Sequence, residues 1–260
     1  GGIRTFAKTT GTAPRVIDAE GRDRIIHRLR LPSIGEQVRL MDYFSTEKPD
    51  AVVMECMAVQ PQYQWIAEHQ MVQSHIGVIT NVRPDHLDEM GPTEDDVAMS
   101  LCNTIPIDGV MITGEDKKTN LLEKVTKAND SEFILSDEST VTQNELDSFS
   151  YMEHPSNVAV ALDVCKEAGV DREVALSGMH KVKPDLGALI AWNLDPRRNF
   201  PKTFSMSSRG IPGPLSCVIS LSLSPFNLRI STLISGSIRD SSQASSELST
   251  ASFTAVIIDL

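Results

Sequence analysis

Four short stretches hold residue types that act on phosphates and carboxylates. The densest is 81–88 (NVRPDHLD), which places Asn81, Asp85, His86 and Asp88 in one loop directly after the apolar run IGVIT. Three oxygen donors and an imidazole at this spacing can bind Mg2+ or Mn2+, or orient a water. A polar loop with a proline turn and a helix-capping Asp would use the same residues. Glu55 lies inside VVMECMAV. A carboxylate in an apolar strand is costly to bury unless it is paired or metal-bound; at the strand's end it would simply face solvent. Glu55 and His86, at the ends of what the pattern makes neighbouring strands, can share one cation, since Mg2+ needs only one or two protein ligands beside substrate phosphates. The third stretch is Lys8-Thr9-Thr10-Gly11-Thr12. It is not a Walker A loop, because the glycine four residues before Gly-Lys is absent and Ala7 precedes Lys8. A lysine, three hydroxyls and a glycine still suit a phosphate, and equally suit a polar turn. The fourth is 154–157 (HPSN), where Asn157 falls in the first turn of a helix and its amide can reach a nucleotide base; plain capping by Ser156 is the competing reading. There is no GxSxG elbow for a hydrolase. Cys56 has no nearby histidine to activate it.

These loops need a frame, and the pattern from about 51 to 180 supplies one. Short Val- and Ile-rich runs at 51–59, 76–82, 109–113 and 132–136 read as strands buried on both faces. Between them, 62–72 reads as a helix with Trp65, Ile66 and Met71 on its buried face. Thr93 caps a helix that carries Glu94, Asp95 and Asp96 in its first turn, where the helix dipole favours negative charge. Further helices fit 120–128, 156–167 (closed by Gly169) and 171–179. Strands separated by helices imply βαβ crossovers and a mostly parallel sheet. Ligands of such sheets bind at the carboxyl ends of the strands, which is where Glu55 and the 81–88 loop fall.

Composition narrows the class. The chain has 260 residues, 40% hydrophobic and 23% charged, with a net charge of −11. That acidity argues against nucleic acid as a partner, because phosphate-backbone binding needs clustered Lys and Arg. No apolar run is long enough to span a membrane. The four cysteines show no metal-ligand spacing and read as single reduced thiols. Residues 196–260 carry a net charge of +3 and residues 1–195 a net charge of −14, so the chain divides near 200. Residues 201–260 form a Ser-rich tail, read as disordered or as an out-of-frame stretch. The abundance of Ile, Leu and Val there argues against ordinary disorder.

Taken together, GIRTFAKTTGTAPRVI (2–17), IGEQ (34–37), VVMECMAVQPQYQ (52–64), IGVITNVRPDHLDEMGPT (76–93) and HPSNVAVAL (154–162) resemble the catalytic B subunit of poly-γ-glutamate capsule synthases. That family is similar to the Mur ligases and folylpolyglutamate synthetases. The resemblance covers roughly residues 1–200 and implies a Mur-ligase central domain of P-loop type.

The resemblance also implies a function: ATP-dependent addition of glutamate to a growing poly-γ-glutamate chain through an acyl phosphate, with ATP and Mg2+ as cofactors. By matched position, Glu55 and His86 are implied Mg2+ ligands. Asp85 supports catalysis beside them, Asn81 supports the same loop, and Asn157 contacts the nucleotide. Lys8, Thr9 and Thr12 match a phosphate-proximal loop, and Asp185 and Gly187 match a PDxGA segment. Other capsule synthase subunits at the membrane are the implied partners, and the cytoplasmic face of the membrane the implied location. The family's first strand, Walker A loop and N-terminal anchor would precede residue 1, so this stretch alone is expected to be an inactive fragment. Another amide ligase of the same superfamily, a non-catalytic nucleotide-binding relative and a truncated or mispredicted gene product are the alternatives.

Overall fold

The Val- and Ile-rich runs pair into one sheet because both of their faces find apolar partners. The computed structural model describes residues 2–10, 14–28, 33–151 and 153–182, and the strand backbones at 216–224, 227–235 and 254–258. In chain order the strands are β1 (Thr5–Lys8), β2 (Arg15–Ile17), β3 (Asp23–Ile25), β4 (Ala51–Glu55), β5 (Ile76–Ile79), β6 (Val110–Thr113), β7 (Glu132–Leu135), β8 (Ser216–Ser224), β9 (Asn227–Ser235) and β10 (Thr254–Ile258). The main sheet has the order β3-β2-β1-β4-β10-β5-β6-β7, and β8 and β9 pair separately. Strand β1 runs parallel to β4, and β5, β6 and β7 are mutually parallel. Within the main sheet, antiparallel pairing is confined to β2 and β3 at one edge and to β10, which lies between β4 and β5; β8 and β9 pair antiparallel with each other. The expected α/β, mostly parallel architecture is present.

Eight α-helices are described: α1 (Ile34–Glu47), α2 (Pro61–Ile66), α3 (Leu87–Met90), α4 (Glu94–Leu101), α5 (Thr119–Ala128), α6 (Gln143–Asp147), α7 (Pro155–Glu167) and α8 (Arg172–Met179). Alternation along the strands sends side chains to both layers. Ile76, Val78 and Ile112 pack with Val160 and Val164 of α7. Ile79 and Met111 face the other way, onto Val97, Ala98 and Leu101 of α4 and Leu122 of α5. Beyond β10, on the same face as Ile79 and Met111, Phe6, Val52 and Met54 pack on Phe44 of α1. No helix among the described residues is long and apolar enough to cross a membrane.

Several elements differ from the sequence reading. Strand β4 stops at Glu55, and 56–60 form a loop at the carboxyl edge. The 62–72 helix is α2 followed by a π-helical stretch, Ala67–Val72. Its buried residues are Gln64, Ala67, Glu68 and Val72, whereas Trp65 is 44% and Ile66 37% exposed. Polar side chains take the inner face because each has a partner there: Ser100 Oγ donates to Gln64 (2.7 Å), and Ser74 donates to Glu68 through its amide and hydroxyl (2.8 and 2.6 Å). Thr93 caps α4 as expected, and Asp96 completes a capping box. The cap of α7 is His154, whose ring accepts from the Ser156 amide, so Ser156 is not the cap. Within 201–260, set apart by composition, β8, β9 and β10 are described.

Candidate functional site

The carboxyl edge of the sheet carries three polar clusters. The first joins β1, β4 and the start of α1. Parallel pairing sets Lys8 beside Met54, so Lys8 and Glu55 reach the edge at one level. Glu55 is 2% exposed. Its Oε2 accepts the Thr10 amide at 2.6 Å. Burial pushes its carboxyl up to about 7 despite that bond and the nearby Lys8 and Arg28 charges. The Lys8 ammonium is buried 4.0 Å from Glu36 Oε1, with Met57 Sδ at 3.9 Å. Desolvation holds its pKa below the usual lysine value. Arg28 grips Glu36 with two bonds of 2.6 Å, which keeps the Glu36 carboxyl below the usual range. Glu36 also lies in the first turn of α1, where the dipole favours it. Next to it, the buried Gln37 Oε1 has no hydrogen-bond partner among the described residues. Thr9 closes the β1–β2 hairpin, its hydroxyl accepting from the Arg15 amide at 3.0 Å. Thr12, like Asp185 and Gly187, lies outside the described residues.

The second cluster follows β5. Asp85 is buried and accepts the His86 amide at 2.9 Å. His86 adopts φ 47° at the start of α3, and its side chain is 50% exposed, with Nε2 3.9 Å from Asp85 Oδ1. A positive φ at a non-glycine residue costs energy and recurs at functional turns. The buried Glu115, in the loop after β6, anchors this region. It accepts the Val82 amide at 2.6 Å and the Lys117 and Lys118 amides at 2.8 and 3.2 Å, tying the β5 loop to the start of α5. Asn81 sits in the same loop, its buried Oδ1 without a hydrogen-bond partner among the described residues.

The third cluster is the start of α7. Gly114 admits this helix end to the edge: a Cβ there would lie 2.6 Å from Ser156 Oγ and 3.1 Å from the Thr80 carbonyl. Asn157 Nδ2 donates to Glu153 at 2.9 Å. Burial pushes the Glu153 carboxyl up to about 7.

The structure thus brings Lys8, Thr9 and Glu55 to one corner and keeps Asn81, Asp85 and His86 together in the loop after β5, while Asn157 starts α7, whose Ser156 lies near the Thr80 carbonyl at Gly114. Strand β10 intervenes between β4 and β5. The axes of β4 and β5 are therefore about 10 Å apart, twice the interstrand spacing. Among the described residues there is no cluster of three or more His, Cys, Asp or Glu suited to a metal ion. Sequence reasoning missed Arg28, Glu36, Glu115 and Glu153. Their only local signal is a charged residue next to an expected turn or helix start, and the partners that make them informative come from elsewhere in the fold.

Comparison with known proteins gives the family. The Mur ligase middle domain profile matches residues 20–192. The capsule biosynthesis protein CapB of Bacillus anthracis is 39% identical over 188 residues, covering 72% of this chain and 40% of that protein. The PGA synthase CapB of Bacillus subtilis (strain 168) is 38% identical over 190 residues, covering 72% of this chain and 48% of that protein. The chain thus spans less than half the length of these relatives. Among solved structures, E. coli FolC in complex with DHPP and ADP aligns with a TM-score of 0.49 at 14% identity, over 69% of this chain and 50% of that one. A serine-to-alanine mutant of L. casei FPGS aligns with a TM-score of 0.45 at 12% identity, over 69% of this chain and 56% of that one. With the family profile spanning most of the described α/β region, this chain belongs to the Mur ligases through their middle domain.

Proposed function

We propose that this chain is the central part of an ATP- and Mg2+-dependent amide ligase that adds glutamate through γ-amide bonds in poly-γ-glutamate synthesis. The observation that carries the reading is the buried Glu55 carboxyl, at about 7, on the same sheet edge as Asp85, His86 and Asn157. A carboxylate desolvated to this degree stays ionised when a cation sits beside it. The two CapB relatives, named for capsule biosynthesis and PGA synthesis, support the substrate class.

In the proposed reaction a terminal carboxylate attacks the γ-phosphorus of ATP. The β–γ bridging bond breaks, giving an acyl phosphate and ADP. The amine of an incoming glutamate attacks the acyl carbon and gives up a proton, and inorganic phosphate leaves. This chemistry is carried by positioning and charge neutralisation rather than by a side-chain nucleophile. Glu55 and His86, on the two sides of β10 with Asp85 beside His86, are the residues that would hold Mg2+, a hard cation that takes one or two protein ligands beside phosphate oxygens. When bound, Mg2+ neutralises developing phosphate charge. Lys8 places a cation at the β1 end of the edge, held there by Glu36. Thr9 and Thr12 belong to the same phosphate-proximal loop. Asn81 and Asn157 offer amides to the nucleotide. Other capsule synthase subunits at the cytoplasmic face of the membrane complete the assembly in this reading.

The test is ADP release by a full-length version given a panel of amino acids with a poly-γ-glutamate acceptor. Glutamate-dependent release is expected. Dependence on a different amine identifies another amide ligase of the superfamily, and nucleotide binding without turnover identifies a non-catalytic relative.

A further inference from the structure

The loop that carries Asp85 and His86 is stitched to the loop after β6 at two points. The Thr113 hydroxyl donates to the Ile79 carbonyl at 2.6 Å and accepts the Glu115 amide at 3.0 Å. Three residues past Ile79, the Val82 amide donates to Glu115 Oε2 at 2.6 Å. The other carboxylate oxygen accepts the Lys117 and Lys118 amides, at 2.8 and 3.2 Å, ahead of α5. Glu115 is buried, as are Thr113 and Val82, and both of its oxygens are engaged.

These bonds reach His86 along a short, stiff path. Only Arg83, Pro84 and Asp85 separate Val82 from His86. Proline fixes its own φ and restricts the residue before it, so Arg83 and Pro84 keep little torsional freedom. Asp85 is buried and accepts the His86 amide. His86 stands at φ 47° and ψ 44°, and its carbonyl accepts the Glu89 and Met90 amides at 2.9 and 2.8 Å. Beyond them the loop ends at α4, whose Val97 and Ala98 are fully buried. A non-glycine residue keeps a left-handed conformation only where its surroundings over-determine it. The His86 side chain is half exposed, so the backbone rather than burial sets where its ring lies.

We propose that Glu115 is a positioning residue for metal binding: by fixing the Val82 amide it holds the 82–86 backbone in the conformation that presents His86 to the cation. This rests on the reading of His86 as a Mg2+ ligand. Glu115 acts through the backbone and need not touch the metal. Helix capping alone is the competing account, since the Lys117 and Lys118 amides belong to the start of α5. Glutamine separates the two. Its one amide oxygen can keep the α5 amides, but its NH2 end cannot accept from Val82.

The first test is nuclear magnetic resonance on the metal-free 260-residue chain. The wild type should show a protected Val82 amide and, at His86, the strong intraresidue amide–Hα Overhauser effect of a positive φ. Glu115→Gln should speed Val82 exchange by about tenfold or more and weaken the His86 signal. The second test is ADP release by a full-length version against Mg2+ at saturating ATP. Glu115→Gln should raise the half-saturating Mg2+ by about tenfold or more, with a smaller fall in kcat. Leu176→Ala, in the separate apolar cluster of α7 and α8, lowers stability without touching the loop and should leave that midpoint unchanged. Should the Gln variant be unfolded by circular dichroism, Glu115→Asp, one methylene shorter, carries the same expected changes. If the full-length wild type shows no Mg2+-dependent release, or His86→Ala leaves rate and midpoint unchanged, the reading of His86 fails and this proposal falls with it. If His86→Ala abolishes turnover but the Glu115 variant leaves the Mg2+ midpoint in place, or lowers kcat alone, the proposal alone is overturned. A midpoint that rises equally in Leu176→Ala marks a general effect of stability and also overturns it.

Discussion

The Thr10 amide donates to the Glu55 carboxylate at 2.6 Å, bridging the loop after β1 to the end of β4 across 45 residues of sequence. The bond does not offset burial, and the Glu55 carboxyl remains raised to about 7. Between about pH 4.5 and 7 the folded chain holds a proton at Glu55 that the unfolded chain has lost. Stability therefore falls as pH rises through that window. Glu55→Gln removes the titration and keeps an acceptor for Thr10. It should stabilise the ligand-free chain by about 1–3 kcal/mol at pH 8 and leave it nearly unchanged at pH 4.5. Urea unfolding at the two pH values measures this, and equal stabilities at pH 8 would refute it. Glu153, raised for the same reason, keeps part of the slope in the variant.

In a complete-length version, Glu55→Ala and His86→Ala should each abolish Mg2+-ATP turnover. Their stabilities should differ. The His86 side chain is half exposed, so its truncation should shift stability by less than about 0.5 kcal/mol. Steady-state ADP release together with thermal unfolding separates the two effects. Near-normal rates in both variants would remove the metal assignment.

Arg28 and Glu36 form a two-bond ion pair beside the buried Lys8. Arg28→Ala leaves Glu36 with the more distant charges of Lys8 and Arg39 and should cost about 1–3 kcal/mol. The double variant Arg28→Ala, Glu36→Gln should lose less than the single one, because no carboxylate is then stranded. A double-mutant cycle read by chemical denaturation reports the coupling; strict additivity would mean the pair is not coupled.

Gly114→Ala places a methyl 2.6 Å from Ser156 Oγ. The expected loss is about 1–3 kcal/mol from overpacking at the start of α7. Ser156→Ala in the same chain should recover part of it, although the Thr80 carbonyl at 3.1 Å keeps the site tight. Melting curves of the single and double variants decide this. No recovery would mean that the backbone contact dominates.

Much of the frame was legible because it obeys local rules. Continuous apolar runs mark strands buried on both faces, and Thr93 with Asp96 marks a helix start. Helix α1 escaped the sequence reading because it buries Glu36 and Gln37 together with Phe44, which blurs the apolar stripe. The same cause misplaced Trp65 and Ile66: Gln64 and Glu68 hold the inner face through hydroxyl partners on distant residues. Glu55 was found as a lone carboxylate in an apolar run. Glu115 and Glu153 were not, since nothing near them in sequence announces burial. Their roles arise from backbone amides and side chains that only the folded chain brings within reach.

Among the residues whose side chains are described, the apolar clusters fall on the two sides of β10. Phe6, Phe44, Val52 and Met54 form one cluster, and Ile79, Val97, Leu101 and Met111 another. Such clusters open as separate cooperative units in native-state hydrogen exchange. Amides of β5 and β6 are then expected to exchange at a different rate from those of β1 and β4. A nucleotide spanning Lys8 and Asn157 would couple the two units, so its signature would be slowed exchange in both at once, including strands it never touches.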